Sequence, residues 1–421
     1  MRVDADDFAR PCSCGREHHI DVKEIVIESG AIGKLEEEMS DGDLREYISP
    51  LLICDTNSYK ATEELMEDIY DRCQVLILDA EDLEADERAV EIVENYMEED
   101  IDLVLAVGAG TIHDLSRFVA HQYRIPFVSV PTAASSDGFT STVADMTWNG
   151  VKKAVAASAP LFVFADTDIF AKAPKRLTAA GVSDILGKYI ALADWKIASI
   201  LSKEYYCAEV VNLETKAVRT VKDNLKEIAA GEEEACEKLM YALVLSGLAM
   251  QMTGNSRPAS GAEHHLVHLW DMEVVNGHLD ALHGEKVSAA TMLVLLEYKK
   301  IADAIRKGNC KVHTCTEEDR ELLQSTFGKK GILGAIEKEN TPELLDDVST
   351  KELSDTLPGI LKIIDALPAV TDMQEMMNTA GCVSRVRDIG LPGEVIEESL
   401  RLAPYTRRRL SLLRLRKMLT Y

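Results

Sequence analysis

The chain has 421 residues, with 46 Lys and Arg against 72 Asp and Glu, and a formal net charge of −26. Such acidity excludes nucleic acid and anionic membrane surfaces as partners, because both require basic patches. The length allows two domains, each with its own core, and a hydrophobic fraction of 46% is that of an ordinary globular enzyme.

In chain order, Val22 to Ile27, Leu51 to Cys54, Val75 to Leu78, Leu103 to Val107 and Phe127 to Val130 are short apolar runs that predict strands. Amphipathic stretches lie between them: Ala61 to Tyr70, Asp86 to Met97 and Ile112 to His121. Strands alternating with helices predict an α/β domain, residues 1–170, with a mostly parallel sheet of the dinucleotide-binding type. Lys153 to Ala157 and Leu161 to Ala165 flank Pro160 and read as a hairpin or a pair of edge strands. Long helical patterns follow at Leu177 to Ile200, Lys203 to Ala229, Glu232 to Met252 and Glu285 to Ile305, with Pro258 in a break before another helix. Residues 171–421 are therefore expected to form an all-α domain, with the active site in the cleft between the two. The basic run Arg407, Arg408, Arg409, Arg414, Arg416 and Lys417 suits the last turns of a C-terminal helix with a solvated or ion-paired face.

The negative charge is uneven. Residues 1–169 carry 13 basic and 36 acidic residues, net −23, and the remainder only −3. An anion bound by the first domain must then be held by local devices. Nine scattered cysteines give no disulfide framework and suit a reducing compartment. The acidic start is unlike a targeting peptide, and no apolar stretch approaches the roughly 20 residues needed to cross a bilayer. A cytoplasmic protein without membrane insertion is expected.

Several segments carry chemistry. Gly108-Ala109-Gly110-Thr111-Ile112-His113-Asp114 follows a predicted strand and opens a helix, where free N–H groups favour a phosphate; an ordinary tight turn fits the same residues. Asp55 ends another strand, either accepting a ribose diol or capping the next helix. Pro131 to Ser141 is dense in small hydroxyls, with Asp137 among them. In the helical region Asp184, His264, His268 and His283 stand out. Helical spacing places His264 and His268 on one face while His265 turns away. Two imidazoles and a carboxylate suit a divalent transition metal and leave coordination positions open. For any single histidine a core or capping role is the commoner one. Cys12-Ser13-Cys14 with His18-His19, and Cys310 with His313 and Cys315, could form extra metal sites, although neither has a standard zinc spacing.

These pieces, in this order, resemble the glycerol-1-phosphate dehydrogenases of the iron-containing alcohol dehydrogenase and dehydroquinate synthase superfamily. The Cys12-Ser13-Cys14-Gly15 start is similar to the branch found in Gram-positive bacteria. The resemblance runs from Val22 to the Arg-rich C-terminus. Its most diagnostic stretches are Pro131 to Ser141 and Asn255-Ser256-Arg257-Pro258-Ala259-Ser260-Gly261-Ala262-Glu263-His264. It implies Asp184, His264 and His283 as ligands of one divalent metal, zinc or nickel being usual. It implies NAD(H) or NADP(H) contacts at Asp55, Gly110, Thr111, Ile112, His113, Asp114, Thr132, Ser135 and Ser141, and substrate contacts at Asp137, Asp184 and His268. Ala109 stands where relatives often carry a third glycine.

The implied reaction interconverts dihydroxyacetone phosphate and sn-glycerol 1-phosphate, for lipid biosynthesis, in a homodimer. His268 is expected to bind substrate and relay a proton, with Asp184 also catalytic. Arg257, added here on chemical grounds, is expected to clamp two phosphate oxygens. A glycerol dehydrogenase or a dehydroquinate-synthase-like enzyme is the nearest alternative; a non-catalytic metal-binding protein is the alternative outside enzymes.

Overall fold

The computed structural model describes residues 2–4, 8, 11–315 and 319–421; the acidic start at residues 1–7 lies mostly outside them. The first 166 residues supply β1 (Arg2–Asp4), β2 (Glu24–Glu28), β3 (Pro50–Asp55), β4 (Gln74–Leu78), β5 (Leu103–Gly108), β6 (Phe127–Pro131), β7 (Val143–Trp148), β8 (Val151–Ala156) and β9 (Phe162–Asp166). Seven of these form one sheet, in the order β1-β2-β9-β6-β5-β3-β4. Only β1 runs antiparallel to its neighbour.

The five predicted strands are all present. β3, β5 and β6 are buried on both faces, as expected of a parallel sheet covered on two sides. Helices α1 (Ala31–Ser40), α2 (Thr56–Thr62) and α3 (Glu67–Tyr70) flank the strands, as do α4 (Glu87–Glu94) and α5 (Gly110–Tyr123). Leu52, Leu105 and Val130 pack with Ala31, Leu35 and Ile69 on one face. Leu51, Val104 and Phe127 pack with Val90, Val93, Leu115 and Val119 on the other. The helix expected over Ala61 to Tyr70 is broken into α2 and α3.

The expected hairpin around Pro160 is not formed. β8 pairs antiparallel with β7 in a separate ribbon, and β9 runs between β2 and β6 inside the main sheet. The sequence carries the reason. Phe162-Val163-Phe164-Ala165-Asp166 is buried throughout, the mark of an interior parallel strand, whereas Lys152 and Lys153 need a half-exposed ribbon.

After α6 (Thr167–Phe170) the chain is helical: α7 (Lys175–Leu201), α8 (Ala208–Lys222), α9 (Leu225–Ala230), α10 (Glu233–Thr253), α11 (Ala262–Asp271) and α12 (His283–Arg306), then shorter helices. α7 and α10 are apolar around their circumference and sit at the centre of this part, as such helices must. The helix expected over Lys203 to Ala229 is interrupted between α8 and α9. A ribbon of Lys311–Val312 with Leu419–Thr420 departs from an all-α expectation.

Two further corrections follow. Arg407 to Arg409 lie in a non-helical segment, because Arg407 and Arg409 turn inward against α11 and the Ser256 to Ser260 loop. The largest core also joins the two parts rather than stopping between them: Ile25, Ile27, Val163 and Ala165 of the sheet pack with Leu186, Leu243 and Val287.

Candidate active site

The strand order reverses between β3 and β5: from β3 the chain steps out to β4, and from β5 it steps the other way to β6 and β9. The crevice beyond the carboxyl ends of strands at such a switch point is where open α/β sheets bind ligands. Asp55 ends β3, and Gly108 ends β5 beside it, with Ala109 between it and the opening of α5 at Gly110.

Most helix starts beside the sheet are served by a side chain, with α3 and α5 as the exceptions. α2 is capped by Asp55, whose Oδ1 accepts from Asn57 N and Ser58 N at 2.8 Å. α4 is capped by Asp86. Asp166 takes Gly30 N and Ile32 N at the start of α1, and Asp168 N at the start of α6. α5 begins at Ala109 with no side-chain cap. Its first N–H groups and the positive end of its dipole remain available to an anion. A Cβ at Gly110 would press on Ser136 Oγ at 3.0 Å.

The expected cofactor residues divide by where their side chains point. Thr111 is partly exposed, and Thr132 and Ser135 lie in the loop after β6. Ile112 is buried against Gly108. His113 turns into the sheet, with Nδ1 2.9 Å from the Ala109 carbonyl and Nε2 2.8 Å from Ser129 Oγ; burial lowers it to about pKa 3, so it stays neutral. Ser141 is also turned inward, its Oγ accepting from Val143 N. Asp114 lies 3.8 Å from Arg117 Nε, and burial lifts it to about pKa 7 against the pull of that guanidinium.

Asp184, His264 and His283 come together with their ligating atoms within 4.8 Å of one another. They arrive from α7, α11 and α12. Gly284 allows the start of α12 to meet Ala180, and Gly181 allows α7 to meet the Ala134 carbonyl; a Cβ at either glycine would collide with that backbone. His264 Nδ1 is 2.8 Å from Glu263 Oε1, which fixes the ring with Nε2 turned toward Asp184 Oδ1 at 3.6 Å. Asp184 is fully buried and His283 only partly, so the trio opens on one side. This donor set fits a divalent transition metal with free coordination positions.

Lys188, one helical turn from Asp184, ties the trio to the loop after β6. Its Nζ is 2.8 Å from Asp184 Oδ1 and 2.7 Å from Asp137 Oδ2, and Asp137 N donates to Asp184 Oδ2 at 3.0 Å. Burial works to raise the Asp184 pKa, but Lys188 and His264 outweigh it and hold the carboxyl below the usual range. Burial likewise works to lower Lys188, and Asp137 and Asp184 more than offset it. Ser246 Oγ lies between Asp137 Oδ2 and Glu214 Oε1, and burial lifts Glu214 to about pKa 8.

His268 sits one turn beyond His264. Arg407 Nε donates to its Nδ1 at 3.1 Å, so the neutral ring carries its proton on Nε2, which faces Asp145 Oδ1 at 3.6 Å. Burial, then Arg407, holds His268 well below the usual histidine range. A relay through an imidazolium is therefore disfavoured, and Nε2–H is left as a hydrogen-bond donor.

Arg257 is not poised as a two-pronged clamp. Its Nε donates to Glu204 Oε1 at 2.8 Å and its Nη2 to the Leu410 carbonyl at 2.6 Å, leaving only Nη1 without a partner. Arg409 is the less committed cation. It donates to Ser260 O and Ser256 Oγ, and burial, then Arg407 and Arg257, lowers it to about pKa 9.

Sequence reasoning missed Lys188, Glu263, Asp145, Arg117, Arg407 and Arg409 as parts of this site. Lys188 was visible as a lysine four residues after Asp184 within an apolar helix. Arg117 pins the Asp137 loop through the Gly138, Phe139 and Ser141 carbonyls, and Asp145 arrives on the β7–β8 ribbon. Neither had a local signal.

The sequence profile of the family described as iron-containing alcohol dehydrogenase matches residues 26–174. The chain is 33% identical over 405 residues to the glycerol-1-phosphate dehydrogenase (NAD(P)+) of Geobacillus stearothermophilus, covering 94% of this chain and 92% of that one. It is 34% identical over 418 residues to the same-named enzyme of Halalkalibacterium halodurans, covering 97% and 96%. Its fold is similar to that of an iron-containing alcohol dehydrogenase from Corynebacterium glutamicum, with a TM-score of 0.63, 15% identity and 95% coverage of each chain.

Proposed function

Because the chain belongs to the glycerol-1-phosphate dehydrogenase family, we propose that it interconverts dihydroxyacetone phosphate and sn-glycerol 1-phosphate with NAD(H) or NADP(H). One divalent metal ion, zinc or nickel, would be held by Asp184, His264 and His283. The observation that carries this reading is the meeting of that trio with the Asp137 loop, on the same side of the sheet as the uncapped start of α5. When bound, the metal supplies Lewis acidity at the ketone oxygen and the nicotinamide supplies the hydride.

The chain's own residues do the rest. The free N–H groups of Gly110, Thr111 and Ile112 hold the pyrophosphate, with His113 and Asp114 shaping that turn. Thr132 and Ser135 offer hydroxyls to the cofactor, and Ser141 supports their loop from beneath. Asp55 keeps Oδ2 for a ribose diol and disfavours a 2′-phosphate, so NADH is preferred over NADPH. Lys188 orients Asp184 and Asp137, and Glu263 keeps the His264 Nε2 lone pair free. His268 Nε2–H donates to a substrate oxygen. Arg409, rather than Arg257, attracts the phosphate, since a partly buried guanidinium without a bonded carboxylate favours an anion, whereas Arg407 Nη2 lies 3.6 Å from Asp145 Oδ1.

A dehydroquinate-synthase-like reaction and a glycerol dehydrogenase are less well supported, because the curated relatives are named for the phosphorylated alcohol. Cytoplasmic location rests on cysteine usage; the homodimer and a role in lipid biosynthesis rest on the resemblance. Among the described residues no helix is long and apolar enough to cross a membrane. The test is NADH oxidation with dihydroxyacetone phosphate against unphosphorylated dihydroxyacetone. A preference of roughly 100-fold or more is expected from charge-assisted bonds to the phosphate. Equal or better turnover of the neutral ketone would favour a glycerol dehydrogenase.

A further inference from the structure

A second cluster of ligating side chains lies apart from Asp184, His264 and His283. Cys12, Cys14, His18 and Cys207 place their Sγ and Nε2 atoms within 4.8 Å of one another. The first three come from the segment between β1 and β2, and Cys207 stands 195 residues beyond Cys12, where it begins α8.

Three of the six edges are close to those of a tetrahedral site, and all lie within 4.8 Å. Cys12 Sγ is 3.5 Å from Cys207 Sγ, and His18 Nε2 is 3.5 Å from both Cys14 Sγ and Cys207 Sγ. Around a zinc ion with Zn–S near ~2.3 Å and Zn–N near ~2.05 Å, the edges are ~3.8 Å for S···S and ~3.6 Å for S···N. The sulfurs are far too distant for a disulfide, whose S–S bond is ~2.05 Å.

The surroundings suit an ion as well. His18 Nδ1 lies 2.6 Å from the Met252 carbonyl, so Nδ1 carries the proton and Nε2 is left as the ligand, the usual outer support of a metal-bound imidazole. Gly15, with φ of 82°, closes the tight turn that brings Cys12 and Cys14 to one side. Cys207 occupies the N-cap of α8 with no side-chain cap bond, so its Sγ is turned to the cluster rather than to the helix. Trp195, Val210 and Ala249 pack with the buried Cys207, while Cys12 and Cys14 stay partly exposed.

We propose that Cys12, Cys14, His18 and Cys207 form a structural zinc site of the Cys₃His type. All four positions are protein ligands, leaving none open for substrate. The site fastens the segment between β1 and β2 to α8 and to the end of α10, immediately before the Asn255 to His264 stretch. Its role is to hold that end of the site in place.

The experiment uses the full-length protein stripped of metal and reconstituted with cobalt(II), which reports thiolate ligation by an intense near-ultraviolet charge-transfer band. Wild type is expected to show that band and to bind about two cobalt ions per chain. Asp184→Ala should keep the band and bind about one. Cys14→Ser should lose most of the band. If Cys14→Ser does not fold, the wild type and Asp184→Ala remain decisive. A folded wild type without a thiolate–cobalt band, or a Cys12–Cys207 disulfide in the freshly purified protein by mass spectrometry, would overturn the proposal.

Discussion

Lys188 and Asp184 face each other across one turn of α7, Nζ 2.8 Å from Oδ1, with both side chains fully buried. Lys188 also serves Asp137 at 2.7 Å, so one cation bridges two carboxylates from different parts of the fold. Removing one partner of a buried pair leaves an uncompensated charge, at a cost of about 3–5 kcal/mol. Lys188→Met should lower unfolding stability by that order, as measured by denaturant titration of the metal-free protein. Added divalent metal should restore more stability in the variant than in wild type, since a dication at Asp184 replaces part of the missing charge. An unchanged midpoint would show that the pair is not structural.

Glu263 acts on the metal through His264, which it holds at 2.8 Å. Outer-sphere partners of this kind are typically worth 10–100-fold in metal affinity. Glu263→Gln should weaken metal binding by about that factor in competition with a chromogenic chelator. Affinity equal to wild type would place the control of His264 elsewhere.

Glu214 provides a pH dependence. Its folded pKa is raised from 4.5 to about 8, first by burial, with Asp137 adding to the effect and Lys188 opposing it. A raised carboxyl favours the folded state at low pH, and that contribution is lost as pH rises from about 4.5 to about 8. At about 1.4 kcal/mol per pH unit, the loss is on the order of 5 kcal/mol. Glu214→Gln keeps the neutral shape, so it should match wild type near pH 5 and unfold at higher temperature than wild type near pH 9. Parallel thermal curves across that range would contradict the buried, protonated carboxyl.

The phosphate assignment separates Arg409 from Arg257. Arg409→Met should raise KM for the phosphorylated ketone by roughly 10-fold or more, the worth of one charge-assisted contact. It should leave turnover of unphosphorylated dihydroxyacetone little changed. Arg257→Met should chiefly reduce stability, because it strands Glu204 and the Leu410 carbonyl. The opposite pattern would return the clamp to Arg257.

Local pattern made much of the fold legible. β3, β5 and β6 were visible as apolar runs between turn-forming residues, and Asp86 does cap α4 where the helix was expected to start. β9 was misread because adjacency in sequence suggested a hairpin, whereas burial on both faces draws Phe162 to Asp166 into the sheet interior. Asp184, His264 and His283 were singled out from residue type and resemblance. What surrounds them depends on contacts far apart in the chain: Arg407 on His268, and Asp145 from the ribbon. Arg257 shows the reverse case, a residue whose chemistry suited a ligand but whose partner, Glu204, lay 53 positions away.

The central claim is that Asp184, His264 and His283 hold the metal on which reduction of dihydroxyacetone phosphate depends. The direct measurement is anaerobic NADH oxidation with that ketone, before and after chelation and after add-back of zinc, nickel, iron or cobalt, in wild type and in His283→Ala. The account predicts that chelation abolishes turnover, that at least one ion restores it in wild type, and that no ion restores it in the variant. Full activity in metal-free protein, or in His283→Ala, would contradict it.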